Sequence, residues 1–229
     1  MCNEISWSAL YKHRRAAQAR FGKIFDLPIA KRVRDVLLAH VADGDSVLEV
    51  GAGDRSMGQM LQRHRSKVEY RSLDIDAALP HDYRDVRSID RTFDCVFAFE
   101  VIEHLELAAI PPWLARLREV TRPQGCLLLS TPNTFYPPAY LRDATHRTPL
   151  CYDELAGLLA AAGWHVERIV RIYHDPLWRM IARRYLFGWL FRLIGIDFAR
   201  QIVVVARTTA PLASLGGPPA FDTAGRAEK

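Results

Sequence analysis

Glycines and an acidic residue follow two successive apolar segments near the middle of this sequence. Gly51 and Gly53 come directly after the apolar run 46–50, and Asp74 ends the next run, 21 residues beyond Gly53. Glycine lets a ligand approach the backbone without a clash with Cβ, and a carboxylate at about this offset can accept both hydroxyl groups of a ribose. The spacing predicts a nucleotide-type site, although an acid that only caps a turn would give the same pattern.

Two histidines lie where they could accept a proton from a substrate. His104 directly follows Glu103, and His146 lies in the loop after the fourth apolar run. An imidazole titrates near neutral pH, as a general base must. Tyr136 and Tyr140 could line the same pocket. Structural packing is the alternative for all four side chains, so the assignment of His104 and His146 as catalytic residues is a hypothesis.

Apolar runs typical of buried strands alternate with segments of helical periodicity. This alternation predicts an α/β fold with a mostly parallel sheet covered on both faces, which binds ligands at the carboxyl ends of its strands. Strands are predicted at 46–50, 68–76, 93–100, 126–133, 164–173 and 200–208. Helices are predicted within 7–41, around 57–61, at 104–121, where Pro111 and Pro112 should break the first turn, and at 153–163.

Composition and spacing set the expected organisation. We expect an N-terminal helical extension at 1–40, a catalytic domain at 41–209 with a hydrophobic, basic insertion at about 174–199, and a flexible tail at 210–229. The four cysteines form no CxxC motif, and no cluster of metal ligands is evident, so neither a disulfide framework nor a metal site is expected. The absence of a signal peptide and of a long apolar span predicts a cytoplasmic protein.

The ordered set of motifs resembles the class I S-adenosylmethionine-dependent methyltransferases, in their small-molecule, type 11-like branch. The matching segments cover roughly residues 40–208 and include VLEVGAG (47–53), LDID (73–76), RDV (84–86), FDCVFAFEVIEHL (93–105), LREVTRPQGCLLLSTPN (117–133) and DELAGLLAAAGWHVERI (153–169). The resemblance implies a Rossmann-like, seven-stranded sheet whose last strand is antiparallel. It also implies S-adenosylmethionine as the cofactor.

Ten positions take cofactor-binding roles from this resemblance. Glu49, Phe99 and Glu100 would lie near the methionine end, and Gly51, Ala52 and Gly53 would lie against the cofactor. Asp74 would hold the ribose hydroxyls. Ile75 would pack on the adenine ring, and Asp85 and Val86 would bind the adenine edge. The sequence departs from the family at Asp54, where a third glycine is common. The stretch 77–84 is also too short for the usual helix. An NAD-binding Rossmann domain would need GxGxxG, but four residues separate Gly53 from Gly58.

The expected acceptor is a small or lipid-linked molecule, methylated at a hydroxyl group. The net charge is +5, and positive charge is concentrated towards the two ends. Residues 1–35 carry eight basic and three acidic side chains, and residues 177–207 carry six arginines and one aspartate, so each segment is +5 by itself. Such ends can attract an anionic partner. An RNA methyltransferase is an alternative that only this charge favours, and nucleic acid is therefore not the expected partner. Oligomeric state is not predicted.

The insertion between the last two predicted strands is rich in aromatic residues and arginine. Its segment 177–195 could form a lid or part of the core, lie on a membrane surface, or contact a protein partner. If it contacts a membrane, we expect a cytoplasmic protein that is peripherally bound to that membrane. The remaining alternative from another functional class is a catalytically silent module that keeps the fold and binds a membrane or partner through this segment.

Overall fold

A seven-stranded sheet forms the centre of the computed structural model, which describes residues 7–208. The strand order is β1-β6-β7-β5-β4-β2-β3, and β7 is antiparallel to both of its neighbours while the other pairs are parallel. The predicted α/β class, the number of strands and the antiparallel last strand are confirmed. The strands are β1 Ile29–Ala30, β2 Ser46–Val50, β3 Glu69–Leu73, β4 Phe93–Phe99, β5 Thr121–Pro132, β6 Trp164–Ile172 and β7 Gln201–Thr208.

Helices cover both faces of the sheet. Alternate strand residues enter two separate hydrophobic clusters. Leu48 packs in the cluster that contains Leu114 and Leu155, and Val47 packs in the cluster that contains Leu37 and Leu61. This alternation follows from the two-residue period of a strand. The helices are α1 Trp7–Phe21, α2 Val33–Leu38, α3 Ser56–His64, α4 Ile110–Glu119, α5 Pro137–Leu141, α6 Tyr152–Ala161, α7 Leu177–Ile181 and α8 Gly188–Ile194.

The N-terminal segment is not helical throughout, and the prediction of helix across residues 7–41 is wrong in its middle. Helix α1 ends at Phe21, and β1 then joins the edge of the sheet beside β6, with Ile29 paired to Arg171. The Arg171 amide donates to the carbonyl of Pro28 at 2.8 Å. A proline disfavours helix on its N-terminal side, and the free edge of β6 offers amides to pair with, so a short strand forms there.

Two further local features concern prolines and a short connection. We expected Pro111 and Pro112 to break the helix, but this prediction is wrong. Both lie in the first turn of α4, where no amide proton is needed, so the helix begins with them. The stretch 77–84 contains no helix, as the sequence predicted. Instead, Tyr83 makes a single bridge to Leu73 of β3.

Parts of the sequence-based organisation lie outside the described residues. The predicted tail at 210–229 and the first six residues are not described. Among residues 7–208, no helix has both the length and the apolar character needed to cross a membrane. The insertion forms α7, a turn of π-helix at Ala182–Leu186, and α8.

Candidate functional site

The glycine loop after β2 leaves an open space beside its backbone. The amides of Gly51 and Ala52 donate to the carbonyl of Leu73 at 2.8 and 3.0 Å, which closes the loop against the end of β3. Gly51 (φ 74°) faces Val101, whose methyl carbon would lie 2.3 Å from an added Cβ. A Cβ at Gly53 (φ 46°) would meet no atom within 4 Å. The tight turn thus requires glycine at position 51, and position 53 borders free space.

Asp74 lies across this loop at the end of β3. Its Oδ2 accepts the Gly53 amide at 2.7 Å, and its Oδ1 accepts the Asp76 amide at 2.9 Å. Each carboxylate oxygen retains a further lone pair for another donor. The next residue, Ile75, is 86% exposed, so a large apolar side chain stands in solvent beside the carboxylate. Such a pair suits a ligand with two rings: a hydroxyl-bearing ring could bind the carboxylate, and a flat apolar ring could pack on the isoleucine.

Glu49 is buried beneath the same loop. The Tyr70 hydroxyl donates to Glu49 Oε2, and burial raises the Glu49 pKa to about 7. Gly58 makes this contact possible, because a Cβ there would lie 2.2 Å from Tyr70 Cζ. Tyr70 was not identified from the sequence, because only the pairing of β2 with β3 brings its ring to Glu49.

Asp85 and Val86 begin a short 3-10 turn after the 77–84 stretch. Asp85 accepts the Arg87 amide at 2.9 Å and also pairs with the Arg87 guanidinium, and these bonds lower the Asp85 pKa to about 2. The Val86 carbonyl accepts from Arg116 at 3.2 Å. Asp85 is therefore ionised and available as an acceptor, but Arg87 already occupies part of its carboxylate.

The end of β4 carries a strained backbone at Glu100. Its φ of 56° is unusual for a residue with a side chain, and such positions concentrate at functional sites. The Glu100 amide donates to the Ser130 carbonyl at 3.2 Å, and the Ser130 hydroxyl donates to Glu100 Oε1 at 2.8 Å. Burial raises the Glu100 pKa. Phe99 precedes it and packs against Phe97 with ring centroids 5.0 Å apart.

Glu100 also lines a cavity of about 720 Å³ at this edge of the sheet. Both predicted catalytic histidines contribute to its wall, together with Tyr136. The cavity wall consists of Glu100, His104, Tyr136, Pro138, Ala139, Arg142, Asp143, His146, His174, Arg200 and Gln201. Its size suits a small molecule or one end of a larger one. The arginines, His174 and Gln201 were not identified from the sequence, because their positions depend on how the loops after β5 and β6 meet.

The two histidines lie side by side, with ring centroids 4.9 Å apart. His146 Nδ1 lies 2.7 Å from the Tyr140 carbonyl, which can only accept, so Nδ1 carries the proton and Nε2 carries the lone pair. His104 Nδ1 lies 3.0 Å from the Thr145 hydroxyl. Tyr140 packs on His146 with centroids 4.9 Å apart. The fold thus joins residues that are 42 positions apart in the sequence.

Glu103 completes this group from below. It is fully buried, and its Oε1 lies 4.0 Å from His146 Nε2. Ligand atoms of Glu103, His104 and His146 all lie within 4.8 Å of one another. No cluster of these residue types was evident in the sequence, but the fold brings these three side chains together. The sequence shows Glu103 beside His104, but nothing in it indicates that His146 joins them.

Comparisons with known proteins agree with this architecture. A family model described as a methyltransferase domain matches residues 13–169, which is more than half of the chain. A methyltransferase dependent on S-adenosylmethionine, from Archaeoglobus fulgidus, superposes with a TM-score of 0.61 at 15% identity and covers 89% of this chain and 100% of its own.

Two other solved structures have a similar fold, with somewhat lower TM-scores and a similarly low sequence identity. An S-adenosylmethionine-dependent methyltransferase from Mesorhizobium loti has a TM-score of 0.55 at 16% identity, covering 76% of this chain and 96% of its own. The cyclopropane synthase MmaA2 from Mycobacterium tuberculosis has a TM-score of 0.55 at 12% identity, covering 88% and 98%. No curated protein sequence matches this chain significantly.

Proposed function

Because this chain belongs to the methyltransferase domain family, we propose that it transfers a methyl group to a hydroxyl group of an amphiphilic, small-molecule or lipid-linked acceptor. The enzyme is an S-adenosylmethionine-dependent methyltransferase. The cofactor supplies a methyl group that is already activated on a sulfonium, so the protein mainly has to align the acceptor oxygen and exclude water. What the site adds is the choice of acceptor.

The residues at the ends of β2 and β3 fit this cofactor. The space beside Gly53, the free lone pairs of Asp74 and the exposed Ile75 match a backbone approach, a ribose and an adenine ring. We assign the ribose hydroxyls to Asp74 and the adenine face to Ile75. Asp85 and Val86 are assigned to the adenine edge. Binding of adenine by Asp85 would require the Arg87 guanidinium to release one of its contacts with the Asp85 carboxylate.

The methionine end is assigned to the ends of β2 and β4. Glu49 would attract the ammonium group, and Phe99 and Glu100 would flank the methyl donor. Glu100 lies in the wall of the 720 Å³ cavity, so an acceptor in this cavity would reach the same edge of the sheet as the donor. His104 and His146 are two of the basic groups of that wall and could take the hydroxyl proton.

The insertion has a large exposed apolar surface, which is the reason for proposing an amphiphilic acceptor. Eleven apolar or aromatic side chains between residues 177 and 196 are at least 36% exposed, and we call them the insertion surface. They are Leu177, Trp178, Ile181, Tyr185, Leu186, Phe187, Trp189, Leu190, Leu193, Ile194 and Ile196.

The charge and position of the insertion surface favour a lipid bilayer as its partner. Arg179, Arg184 and Arg192 are exposed among the apolar side chains, and residues 177–196 include no acidic residue. Apolar groups with interleaved arginines are typical of segments that lie in the interface of anionic membranes. The chain enters and leaves the insertion beside the cavity, because His174 and Gln201 both line the cavity wall. A lipid-linked acceptor could therefore reach the histidines from the membrane.

We expect serine at Trp178, Trp189 and Leu193 to weaken binding to vesicles by at least about tenfold, because each apolar side chain contributes about 1.5–3 kcal/mol when buried. Sedimentation with vesicles of phosphatidylcholine and phosphatidylglycerol measures the effect. Leu107→Ser is the matched control, because Leu107 is 42% exposed but lies outside the insertion. Equal sedimentation of the triple variant and the wild type would contradict the membrane contact. Vesicle binding by a protein that binds no cofactor would instead support the silent module.

A second prediction follows from the raised pKa of Glu49. If the ionised carboxylate attracts the cofactor ammonium, binding requires Glu49 to lose its proton, which happens around pH 7. We expect the affinity for S-adenosylmethionine to rise several-fold between about pH 6 and pH 7.5. Calorimetry on the wild type and on Glu49→Gln measures this difference, and the variant should show weak binding without the rise.

Glu69→Gln is the control for this pH dependence, because Glu69 lies at the exposed start of β3 and pairs with Arg91 at 2.6 Å. It should keep the wild-type pH profile. A rise of the same size in Glu49→Gln would show that another group controls binding.

A further inference from the structure

The buried carboxylate of Glu103 has no hydrogen-bond partner. Its side chain is completely shielded from solvent, and neither of its oxygens accepts or donates a hydrogen bond within the described residues. A buried charge without a partner is strongly unfavourable. An ion bound beside these oxygens would satisfy them.

His146 and His104 present suitable nitrogen atoms to the same place. His146 Nδ1 donates to the Tyr140 carbonyl, which leaves the lone pair on Nε2, and this atom faces Glu103 Oε1 at 4.0 Å. A separation of 4.0 Å is too long for a hydrogen bond. It lies within the span that two ligands of one ion can bridge, because metal–nitrogen and metal–oxygen bonds are each about 2.0–2.2 Å long.

The second histidine is held in the same way. The Thr145 hydroxyl donates to Asp143 Oδ1 at 2.7 Å, so it accepts from His104 Nδ1 at 3.0 Å. His104 Nδ1 therefore carries a proton, and Nε2 carries the lone pair. Histidines that bind metals almost always donate their other N–H to a carbonyl, carboxylate or comparable acceptor, which fixes the tautomer and the ring orientation. Both rings here have this arrangement.

We propose that Glu103, His104 and His146 bind a divalent transition-metal ion in the floor of the acceptor cavity. Two imidazole nitrogens and one carboxylate favour zinc, manganese, iron or cobalt over magnesium and calcium, which prefer oxygen ligands alone. Three protein ligands leave at least one coordination position open. Because His104 and His146 line the cavity, an acceptor oxygen could occupy that position.

This inference rests on the proposed function only for what the ion acts on. If the acceptor is a hydroxyl compound, the ion would bind its oxygen and lower the pKa of that hydroxyl group, so that the proton passes to solvent water and not to a histidine. The oxygen would then take the methyl group from the sulfonium, and the thioether S-adenosylhomocysteine would leave. The two imidazoles then act as ligands and not as bases.

Cobalt(II) added to chelator-treated protein tests the site without cofactor or acceptor. We expect visible absorption bands that saturate at one ion per chain. Glu103→Gln and His146→Gln should each weaken cobalt binding by at least about tenfold, since even indirect contacts to a bound metal are worth that much. Glu103→Gln keeps the side-chain shape and removes a buried charge, so we expect it to fold.

Two histidine controls separate the site from adventitious binding. His174→Gln removes a histidine from the same cavity wall, whose Nε2 lies 2.9 Å from Gln201 Oε1, and His64→Gln removes an exposed one from α3. Both should keep the wild-type cobalt spectrum. As a measure that needs no variant, zinc should raise the melting temperature of the wild type.

The results that overturn the proposal are distinct from those that overturn the function. Absence of cobalt bands, or bands that persist unchanged in Glu103→Gln and His146→Gln, would remove the metal site. Loss of the bands in His64→Gln would assign them to the surface. Cobalt binding in a protein that binds no S-adenosylmethionine would leave the metal site in place and contradict the methyltransferase function.

Discussion

Replacing Arg171 by methionine should lower the free energy of unfolding by about 3–5 kcal/mol, because it leaves a buried carboxylate without its cation. Arg171 of β6 is 5% exposed, and its Nη1 donates to Asp197 Oδ1 at 2.9 Å. Asp197 is fully buried. The Arg171 guanidinium also donates to the carbonyls of Phe25 and Leu27 at 3.1 and 3.0 Å. The substitution therefore also leaves two carbonyls unsatisfied.

The consequence extends beyond stability because this ion pair joins three parts of the chain. It ties the N-terminal segment before β1 to β6 and to Asp197, which follows α8 near the end of the insertion. Asn133 at the end of β5 donates to Asp197 Oδ2 at 2.9 Å and to the Ala199 carbonyl at 2.9 Å. Loss of Arg171 should therefore loosen the insertion surface as well as the edge of the sheet.

Urea denaturation of the wild type and Arg171→Met, followed by circular dichroism, measures this difference. Arg207→Met is the matched control, because Arg207 is also a strand arginine paired with a carboxylate, Glu167 at 2.9 Å, but both side chains are more than a third exposed. An exposed pair contributes about 0–1 kcal/mol. If Arg171→Met cost no more than Arg207→Met, the buried pair would not hold these segments together.

Alanine at Asp74 should weaken S-adenosylmethionine binding by about 1–3 kcal/mol, or roughly 5- to 150-fold in Kd. Two effects add. The ribose hydroxyls lose a charged acceptor, and the amides of Gly53 and Asp76 lose the carboxylate that now holds them at 2.7 and 2.9 Å. Calorimetric titration gives both Kd values.

Asparagine at position 74 separates the two effects. Its amide oxygen can still accept one of the backbone amides, so Asp74→Asn should keep more of the loop structure while lacking the charge. We expect a Kd between those of the wild type and Asp74→Ala. Asp76→Asn controls for the loss of one negative charge nearby, since Asp76 is exposed and caps only Ala78, at 2.9 Å. Unchanged affinity in Asp74→Ala would show that the ribose assignment is wrong.

Local patterns carried much of the fold. The apolar run of β2, the two glycines after it and the acid at the end of β3 are contiguous in the sequence, so their geometry follows from short-range rules for strands and turns. The family resemblance supplied the antiparallel last strand. Strand β1 could not be predicted, because its two residues form a strand only by pairing with β6, more than a hundred residues later.

The acceptor side of the site could be predicted only in part. His104 and His146 were identified singly, but their contact with each other and with Glu103 depends on the loop between β5 and α6 folding back over the end of β4. Helical periodicity also gave no means to decide between core and surface for the insertion. Most of its apolar side chains are exposed, so they do not belong to the core. We propose that they contact a membrane.

The edge of the sheet at Gly53 and Asp74 is assigned to S-adenosylmethionine, and the proposed methyl transfer depends on this assignment. Calorimetric titration of the purified protein with S-adenosylmethionine and S-adenosylhomocysteine, with NADH as the control ligand, tests it most directly. We expect micromolar binding of the first two and none of NADH. Binding of NADH alone, or of no ligand, would contradict the cofactor assignment and the methyl transfer that depends on it.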